Sequence, residues 1–390
     1  MIGKSGLEKA YEERLHGVDG CKISIVDADG NEKEVLAYQA QKDGEDITTT
    51  IDAALQELVY EQYKTDKSCS IAMNPLTGEI LALVSTPSYD SIDFALGMSE
   101  SKWNSLNEDE SKPLQSRFLQ TWCPGSSFKP VIAAVGITTG ILDPDEDFGR
   151  STTSWQADSS WGSYYVTTLH DYSEAAVLKN ALIYSDNIYF AKAALKIGED
   201  NLAKQLDKIG FGESLPFILG TSNSSYSNGE GFESQIQLAD SGYGQGQVLV
   251  NPIHLASVYT AFLNNGNMIK PRLEYAQEEG AEIWIEGAFS EEAANTVNEC
   301  LIEVIENPNG TGHSAYIPGV TLAGKTGTAE IKADKEDTSG TELGWFAVYT
   351  ADTGSEEPIF LLTMVEDVKD RGGSGYVVNK ARDILNSIFQ

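Results

Sequence analysis

The sequence predicts an α+β fold in which helices cover an antiparallel sheet. Two strand-like segments near the carboxyl terminus, WFAVYTAD and PIFLLTMVED, are separated by the turn residues DTGSEE, which is typical of strands joined by a short turn. Upstream, GVTLAGKTGTAEI has the apolar residues and glycines of a strand that another backbone approaches closely. Helical patterns lie elsewhere, among them the apolar run VIAAV at 131–135 and the final segment VVNKARDILNSIF.

The first of these helices begins with the motif SSFK at residues 126–129. A Pro-Gly turn precedes it and an apolar run follows it, so Ser126 is expected at the start of a buried helix. Because positions i and i+3 share one helix face, Lys129 should stand one turn from Ser126. The positive end of the helix dipole favours a serine that acts as a nucleophile. A helix cap beside an exposed lysine is the simpler alternative.

A second motif, SDN at residues 185–187, lies in the segment AVLKNALIYSDNIYFAKAALKIG. The apolar residues on both sides predict a helix, a short loop and a second helix. A loop between two apolar helices can direct Ser185 and Asn187 into the protein. A surface turn is equally consistent with this motif alone, because serine, aspartate and asparagine all favour turns.

The third motif, KTGT at residues 325–328, lies within the strand-like segment GVTLAGKTGTAEI. An edge strand with free N–H groups and Lys325 can align an extended peptide beside it. A hairpin strand with a surface lysine is the alternative. The motifs SESK at 99–102 and SLN at 105–107 also fit the first two patterns, and about one chance match of each is expected in a chain of this length. Both lie in a polar stretch and are predicted to be a solvated helix.

The three motifs in this order resemble those of penicillin-binding proteins and class A β-lactamases. Further segments resemble class B penicillin-binding proteins, the monofunctional peptidoglycan transpeptidases. They match the family's entry into its first transpeptidase helix, its first two strands, its Gly-Gln-Gly segment with the following helix, and the end of its N-terminal pedestal domain. In that order they are DGEDITTTIDAALQELV, IAMNPLTGEILALVSTPSYD, GYGQGQVLVNPIHLASVYTAFLNNG and GKSGLEKAYEERLHG. The resemblance covers essentially the whole chain.

The resemblance implies the penicillin-binding/β-lactamase-like transpeptidase fold. This fold has a five-stranded antiparallel sheet covered by helices, together with an all-helical lobe, and the Ser126 helix is buried between the two. The strands are expected near residues 68–75, 79–86, 319–331, 343–351 and 358–366. Residues 1–48 are expected to be a remnant of the pedestal domain, and residues 49–390 the transpeptidase domain.

The residue types of the motifs fit acyl transfer on a peptide or lactam that ends in a carboxylate. A serine hydroxyl needs an adjacent base, and Lys129 can serve only if its pKa falls by about 3 units from about 10.4. Burial and the charge of Lys325 would both lower that pKa. The candidate catalytic residues are Ser126, Lys129 and Ser185, and the candidate substrate-binding residues are Asn187, Lys325, Thr326, Gly327 and Thr328. By resemblance, the backbone N–H groups of Ser126 and Thr328 form the oxyanion hole.

The implied reaction cross-links peptidoglycan stem peptides through an acyl-enzyme on Ser126. β-Lactams are the expected covalent inhibitors, a membrane glycosyltransferase is a candidate partner, and no metal or other cofactor is expected. Three alternatives stay open: a β-lactamase, a penicillin-sensing receptor domain and, within the chemistry of the resembled family, a D,D-carboxypeptidase. The E-x-x-L-N pattern of class A β-lactamases does not occur between Asn187 and Lys325.

Composition narrows the function further. The net charge of −32, with a pI of about 4.3, argues against binding to nucleic acid. The four cysteines show no metal-ligand spacing. No apolar run approaches the roughly 18 residues of a transmembrane helix, whereas members of the resembled family usually carry an N-terminal anchor. The parent protein is therefore expected at the extracytoplasmic face of the bacterial cell membrane, with the anchor absent from this chain.

Overall fold

The computed structural model describes residues 2–149, 152–168, 171–229, 231–276, 280–331 and 340–389. Within these ranges the helices are α1 Gly6–Ala10, α2 Glu12–Leu15, α3 Ala53–Tyr63, α4 Ser91–Leu96, α5 Glu100–Glu108, α6 Lys129–Thr138, α7 Leu178–Ile183, α8 Asn187–Ile197, α9 Glu199–Lys208, α10 Gln235–Ser241, α11 Pro252–Thr260, α12 Glu291–Glu306 and α13 Ser374–Phe389. The strands are β1 Cys21–Val26, β2 Glu32–Gln39, β3 Ser68–Met73, β4 Ile80–Thr86, β5 Ser154–Trp155, β6 Val166–Thr167, β7 Met268–Ile269, β8 Ile283–Ile285, β9 Leu322–Ile331, β10 Thr341–Thr350 and β11 Phe360–Val365.

The central sheet has five antiparallel strands in the order β4-β3-β11-β10-β9. This confirms the predicted sheet and its five segments, with small differences at the strand ends. Strand β9 lies at one edge and pairs with β10 over its whole length, from Thr341 opposite Ile331 to Thr350 opposite Leu322. The KTGT motif is therefore on an edge strand, as the sequence predicts.

Helices cover both faces of this sheet. Because side chains alternate along a strand, Trp345 and Tyr349 of β10 join the larger apolar core, whereas Phe346 and Val348 join the smaller core on the opposite face. The larger core contains α6, α8, α11 and α12, and the smaller core contains α3 and α13. Helices α6–α10 and α12 pack against one another and form the predicted all-helical lobe.

Helix α6 is the buried helix that the sequence predicts. Its residues 129–137 are all buried. Ser126 does not lie in the helix itself but in a tight 3-10 turn, Gly125–Phe128, that leads directly into it. Pro130 occupies the first turn of α6, where its missing N–H leaves no hydrogen bond unmade. The nucleophile candidate therefore stands at the amino-terminal end of the most deeply buried helix of the lobe.

The segment before α3 forms a smaller unit. It contains α1, α2 and a β1–β2 ribbon whose side chains are almost all exposed. Arg14 joins this unit to the larger one by donating hydrogen bonds to the carboxylate of Glu274, at 2.7 and 2.8 Å. Across the described residues, no helix has the length and apolar character that crossing a membrane requires.

The SESK motif at residues 99–102 is confirmed as part of a solvated helix. The hydroxyl of Ser99 caps α5 by accepting a hydrogen bond from the backbone N–H of Lys102, at 3.3 Å. Both residues are exposed. They belong to a helix in which no residue is buried.

Candidate active site

The three motifs meet at one cleft of about 720 Å³. The turn before α6, the loop before α8 and the edge strand β9 contribute the lining residues Ser126, Ser185, Asn187, Thr326 and Thr328. The amines of Lys129 and Lys325 lie beneath this surface, since both residues are fully buried. Gly327 faces the turn before α6, because a methyl group built on it would lie 2.9 Å from the backbone N of Ser127.

The turn that carries Ser126 is held by the core around it. The Tyr259 hydroxyl donates to the backbone oxygen of Ser127 at 2.6 Å, and the Trp345 indole N–H donates to the backbone oxygen of Cys123 at 3.0 Å. Gly125 has a φ of +53° and lies so close to β9 that a Cβ would fall 2.3 Å from the backbone oxygen of Thr328. The turn and the edge strand are thus in backbone contact.

Lys129 reaches from α6 to the loop before α8. Its Nζ donates to the backbone oxygen of Ser185 at 2.6 Å, to the Ser185 hydroxyl at 3.1 Å and to the Asn187 side-chain oxygen at 2.7 Å. The ring of Phe190 also faces this amine, with its centroid 5.7 Å from Nζ. Lys129 therefore ties the first motif to the second.

Ser185 lies between the two buried amines. Its hydroxyl accepts from Lys129 at 3.1 Å and from Lys325 at 2.9 Å. The residue has a φ of +54°, a left-handed conformation that is uncommon outside glycine. Because a hydroxyl can accept two hydrogen bonds and donate one, two amine donors leave its own proton for a third direction.

Both lysines have pKa values below their usual range. Burial and the charge of Lys325 lower the pKa of Lys129 well below 10.5, while the charge of Asp186 partly opposes this shift. Burial alone lowers the pKa of Lys325 to about 7. Two ammonium groups are therefore disfavoured together, and a neutral amine is accessible near neutral pH.

Further side chains of the site were not predicted from the sequence. The Thr326 hydroxyl donates to the hydroxyl of Thr311 at 2.8 Å, and the Asn187 side-chain N–H donates to the backbone oxygen of Thr167 at 2.8 Å. Thr311 and Thr167 both line the cleft. Neither residue belongs to one of the three motifs, and no local sequence pattern identifies either of them.

The cleft lining also contains aromatic and acidic side chains. Glu330 and Glu342 face each other across β9 and β10 and both line the cleft. Asp240 also lines the cleft and accepts hydrogen bonds from Tyr164, at 2.5 Å, and from Tyr243. Among the described residues, no group of three or more histidine, cysteine, aspartate or glutamate side chains is arranged to hold a metal ion.

Comparison with models of protein families identifies the family to which this fold belongs. Residues 68–386 match the model described as the penicillin-binding protein transpeptidase domain, and this stretch contains all three motifs. The chain belongs to this transpeptidase family. Residues 1–49 match the model described as the penicillin-binding protein dimerisation domain. This penicillin-binding protein therefore matches two domain families.

Curated relatives of this penicillin-binding protein agree with the assignment. The chain is 42% identical over 386 residues to "Penicillin-binding protein 3" of Bacillus subtilis, which covers 99% of the chain and 57% of the relative. It is 28% identical over 367 residues to "Peptidoglycan D,D-transpeptidase MrdA" of Acinetobacter baumannii, which covers 85% of the chain and 52% of the relative. The chain thus spans just over half the length of these relatives.

Two solved structures share the fold of this penicillin-binding protein. The PBP2 of Helicobacter pylori, solved in complex with MreC, has a TM-score of 0.84 at 23% identity, over 99% of this chain and 72% of that one. The D,D-transpeptidase domain of a peptidoglycan glycosyltransferase from Eggerthella lenta has a TM-score of 0.76 at 24% identity, over 99% and 87%. These similarities concern the fold alone.

Proposed function

We propose that this protein is a serine D,D-transpeptidase that cross-links peptidoglycan stem peptides through an acyl-enzyme on Ser126. The observation that carries the proposal is the placement of the Ser185 hydroxyl between two buried amines at the cleft that Ser126 lines. Such an arrangement can take a proton from one oxygen and deliver it to a departing nitrogen, which is what acyl transfer from an amide requires.

Acylation begins when Ser126 attacks the carbonyl of the penultimate D-alanine. Neutral Lys129 has two N–H donors for its three oxygen partners and a lone pair that accepts the Ser126 proton. The lowered pKa of Lys129 makes this form available. Ser185 then passes a proton to the leaving amine, and Lys129 restores the proton to Ser185. The terminal D-alanine departs, and an ester between its predecessor and Ser126 remains.

Substrate binding is assigned to the edge strand and the start of α8. Lys325, Thr326 and Thr328 hold the terminal carboxylate, with Gly327 allowing strand β9 to lie close to the turn before α6. The Asn187 side-chain nitrogen carries two N–H groups. One of them donates to Thr167, and the second is assigned to the substrate's amide backbone.

Stabilisation of the reacting oxygen is assigned to two backbone N–H groups. Those of Ser126 and Thr328 would surround the oxyanion that forms on the attacked carbonyl. The contact between Gly125 and the Thr328 carbonyl brings the two backbones together and supports this pairing. The acyl group finally passes from Ser126 to an amine of a neighbouring stem peptide, which creates the cross-link. No metal or other cofactor takes part in these steps.

We extend the proposal to the parent protein. Residues 1–48 are the end of a pedestal domain and residues 49–390 the transpeptidase domain, in keeping with the two family models. The protein acts at the extracytoplasmic face of the bacterial cell membrane, with a membrane glycosyltransferase as its partner and β-lactams as its covalent inhibitors. A partner protein is in keeping with the Helicobacter pylori PBP2, whose structure contains MreC.

A time course of penicillin treatment tests the proposal against hydrolysis. The penicilloyl group on Ser126 should persist for many minutes, and a chromogenic cephalosporin should show negligible turnover. The reason is that Lys129 and Ser185 serve acylation, the class A glutamate pattern is absent between residues 187 and 325, and the opened lactam keeps its amine tethered beside the ester. Sustained hydrolysis at about 1 s⁻¹, the low end for typical enzymes, would contradict the transpeptidase proposal and show that the protein is a β-lactamase.

The alternatives of a β-lactamase and a penicillin-sensing receptor find no support among the relatives. Those relatives carry the names of a penicillin-binding protein and of peptidoglycan D,D-transpeptidases. The match of residues 1–49 to a dimerisation domain also favours the transpeptidase.

A further inference from the structure

Asp186, the middle residue of the SDN motif, is buried and does not line the cleft. One oxygen of its carboxylate accepts the N–H groups of Ile188 at 2.8 Å and Tyr189 at 3.2 Å, which caps α8. The other oxygen accepts the hydroxyl of Tyr172 at 2.9 Å. Both oxygens of a buried carboxylate are thus satisfied, two of the three bonds coming from a helix end that favours negative charge.

Tyr172 is itself fixed. Its ring is buried and stacks on that of Tyr184, with centroids 4.5 Å apart and an angle of 8°. Burial and the charge of Asp186 raise the pKa of Tyr172 above its usual 10, so the hydroxyl stays protonated and remains a donor. A capping role alone does not require this arrangement, because serine or asparagine caps a helix without a charge.

The neighbours of Asp186 hold the proposed base. Ser185 and Asn187 supply all three oxygens that receive hydrogen bonds from Lys129. The charged groups that act on Lys129 are Lys325 from β9 and Asp186 from the start of α8, and they act in opposite directions. Asp186 therefore lies in the backbone between the two partners of Lys129, Ser185 and Asn187. Its charge also favours the protonated form of Lys129.

We propose that Asp186 and Tyr172 are positioning residues that fix the loop around Lys129 and set its charge state. This inference rests on the proposed function, in which neutral Lys129 takes the proton of Ser126. Neither residue is assigned to the substrate. The Tyr172 hydroxyl holds the carboxylate in the orientation that caps α8, and the carboxylate keeps more of Lys129 in the ammonium form than burial and Lys325 alone would allow.

The proposal predicts that removal of the Asp186 charge raises the acylation rate at low pH. Wild-type acylation should decline as the pH falls, because Lys129 becomes protonated. Removing the charge of Asp186 leaves burial and Lys325 unopposed, so the pKa of Lys129 falls further and the acid limb of the rate profile moves to lower pH. We expect a shift of about one pH unit, so Asp186→Asn should be acylated up to about tenfold faster than the wild type on the acid limb.

The test measures the acylation rate by stopped flow with a fluorescent penicillin, from about pH 5 to 9. Asp186→Asn keeps an oxygen for the cap and offers an N–H to Tyr172. Asp186→Ser provides a second neutral cap if the first variant does not fold, and should shift the limb in the same direction. Tyr172→Phe keeps the charge, so it should lower the plateau rate without moving the limb to lower pH.

Asp52→Asn is the matched control. Asp52 caps α3 with the same geometry, accepting the N–H groups of Ala54 at 2.8 Å and Leu55 at 3.0 Å, and its replacement changes the net charge equally. It should leave the profile unchanged. An acid limb that stays in place, or moves upward, in the neutral variants of Asp186 overturns the inference. A wild-type protein that is not acylated on Ser126 overturns the proposed function instead.

Discussion

Replacing Lys129 by alanine is expected to lower the rate of penicillin acylation by about 10³-fold, within the range that general bases contribute. The variant removes the group that accepts the Ser126 proton, and the other buried amine of the site, Lys325, contacts Ser185 and the Thr326 backbone. Stopped-flow acylation kinetics at neutral pH measure the effect, and circular dichroism with thermal melting shows whether the fold survives.

Lys102→Ala is the control for this experiment. Lys102 ends the other S-x-x-K match, and its side chain lies on the exposed helix α5. The substitution should leave acylation unchanged. A Lys129→Ala protein that folds and is acylated within about tenfold of the wild-type rate would show that another group serves as the base.

Gly125→Ala is expected to have the second large effect. A Cβ at this position would fall 2.3 Å from the backbone oxygen of Thr328, so the turn carrying Ser126 must move away from β9. The left-handed backbone adds about 1–2 kcal/mol of strain. Because a displacement of about 1 Å can cost about 10²-fold in rate, acylation should fall by about that factor, together with a lower midpoint of thermal unfolding.

Gly140→Ala separates the two causes. Gly140 follows α6, has a φ of +67°, and has open space where a Cβ would be built. Its replacement should therefore carry the cost in stability of the left-handed backbone without the loss of acylation. Equal acylation rates in the two variants would contradict the account of the Gly125 contact.

The sequence predicts the main strands and helices of this molecule because short, local sequence patterns identify them. Strands β10 and β11 are separated by turn residues, and the segments at both ends of the KTGT motif are long enough to identify β9. The burial of α6 follows from its continuous apolar run. The family resemblance predicts strands β3 and β4. Strand β3 shows no alternating pattern, because it is buried at every position.

The details of the site depend on contacts that no local pattern encodes. Thr311 meets Thr326 through the fold of the chain before β9, and Thr167 meets Asn187 through a short strand far from the motif. The sequence predicts Asn187 as a substrate ligand, but its oxygen already accepts from Lys129. The SDN pattern also draws attention to its outer residues, whereas Asp186 becomes visible only when its burial and its bond to Tyr172 are known.

The central claim is that Ser126 is the nucleophile, and mass spectrometry after penicillin treatment tests it most directly. Intact protein should gain a single penicilloyl group, and proteolysis should place that group on the peptide containing Ser126. Ser99→Ala, which alters the other S-x-x-K match, should be labelled like the wild type, whereas Ser126→Ala should not be labelled at all. A penicilloyl group on the Ser126→Ala protein would contradict the account.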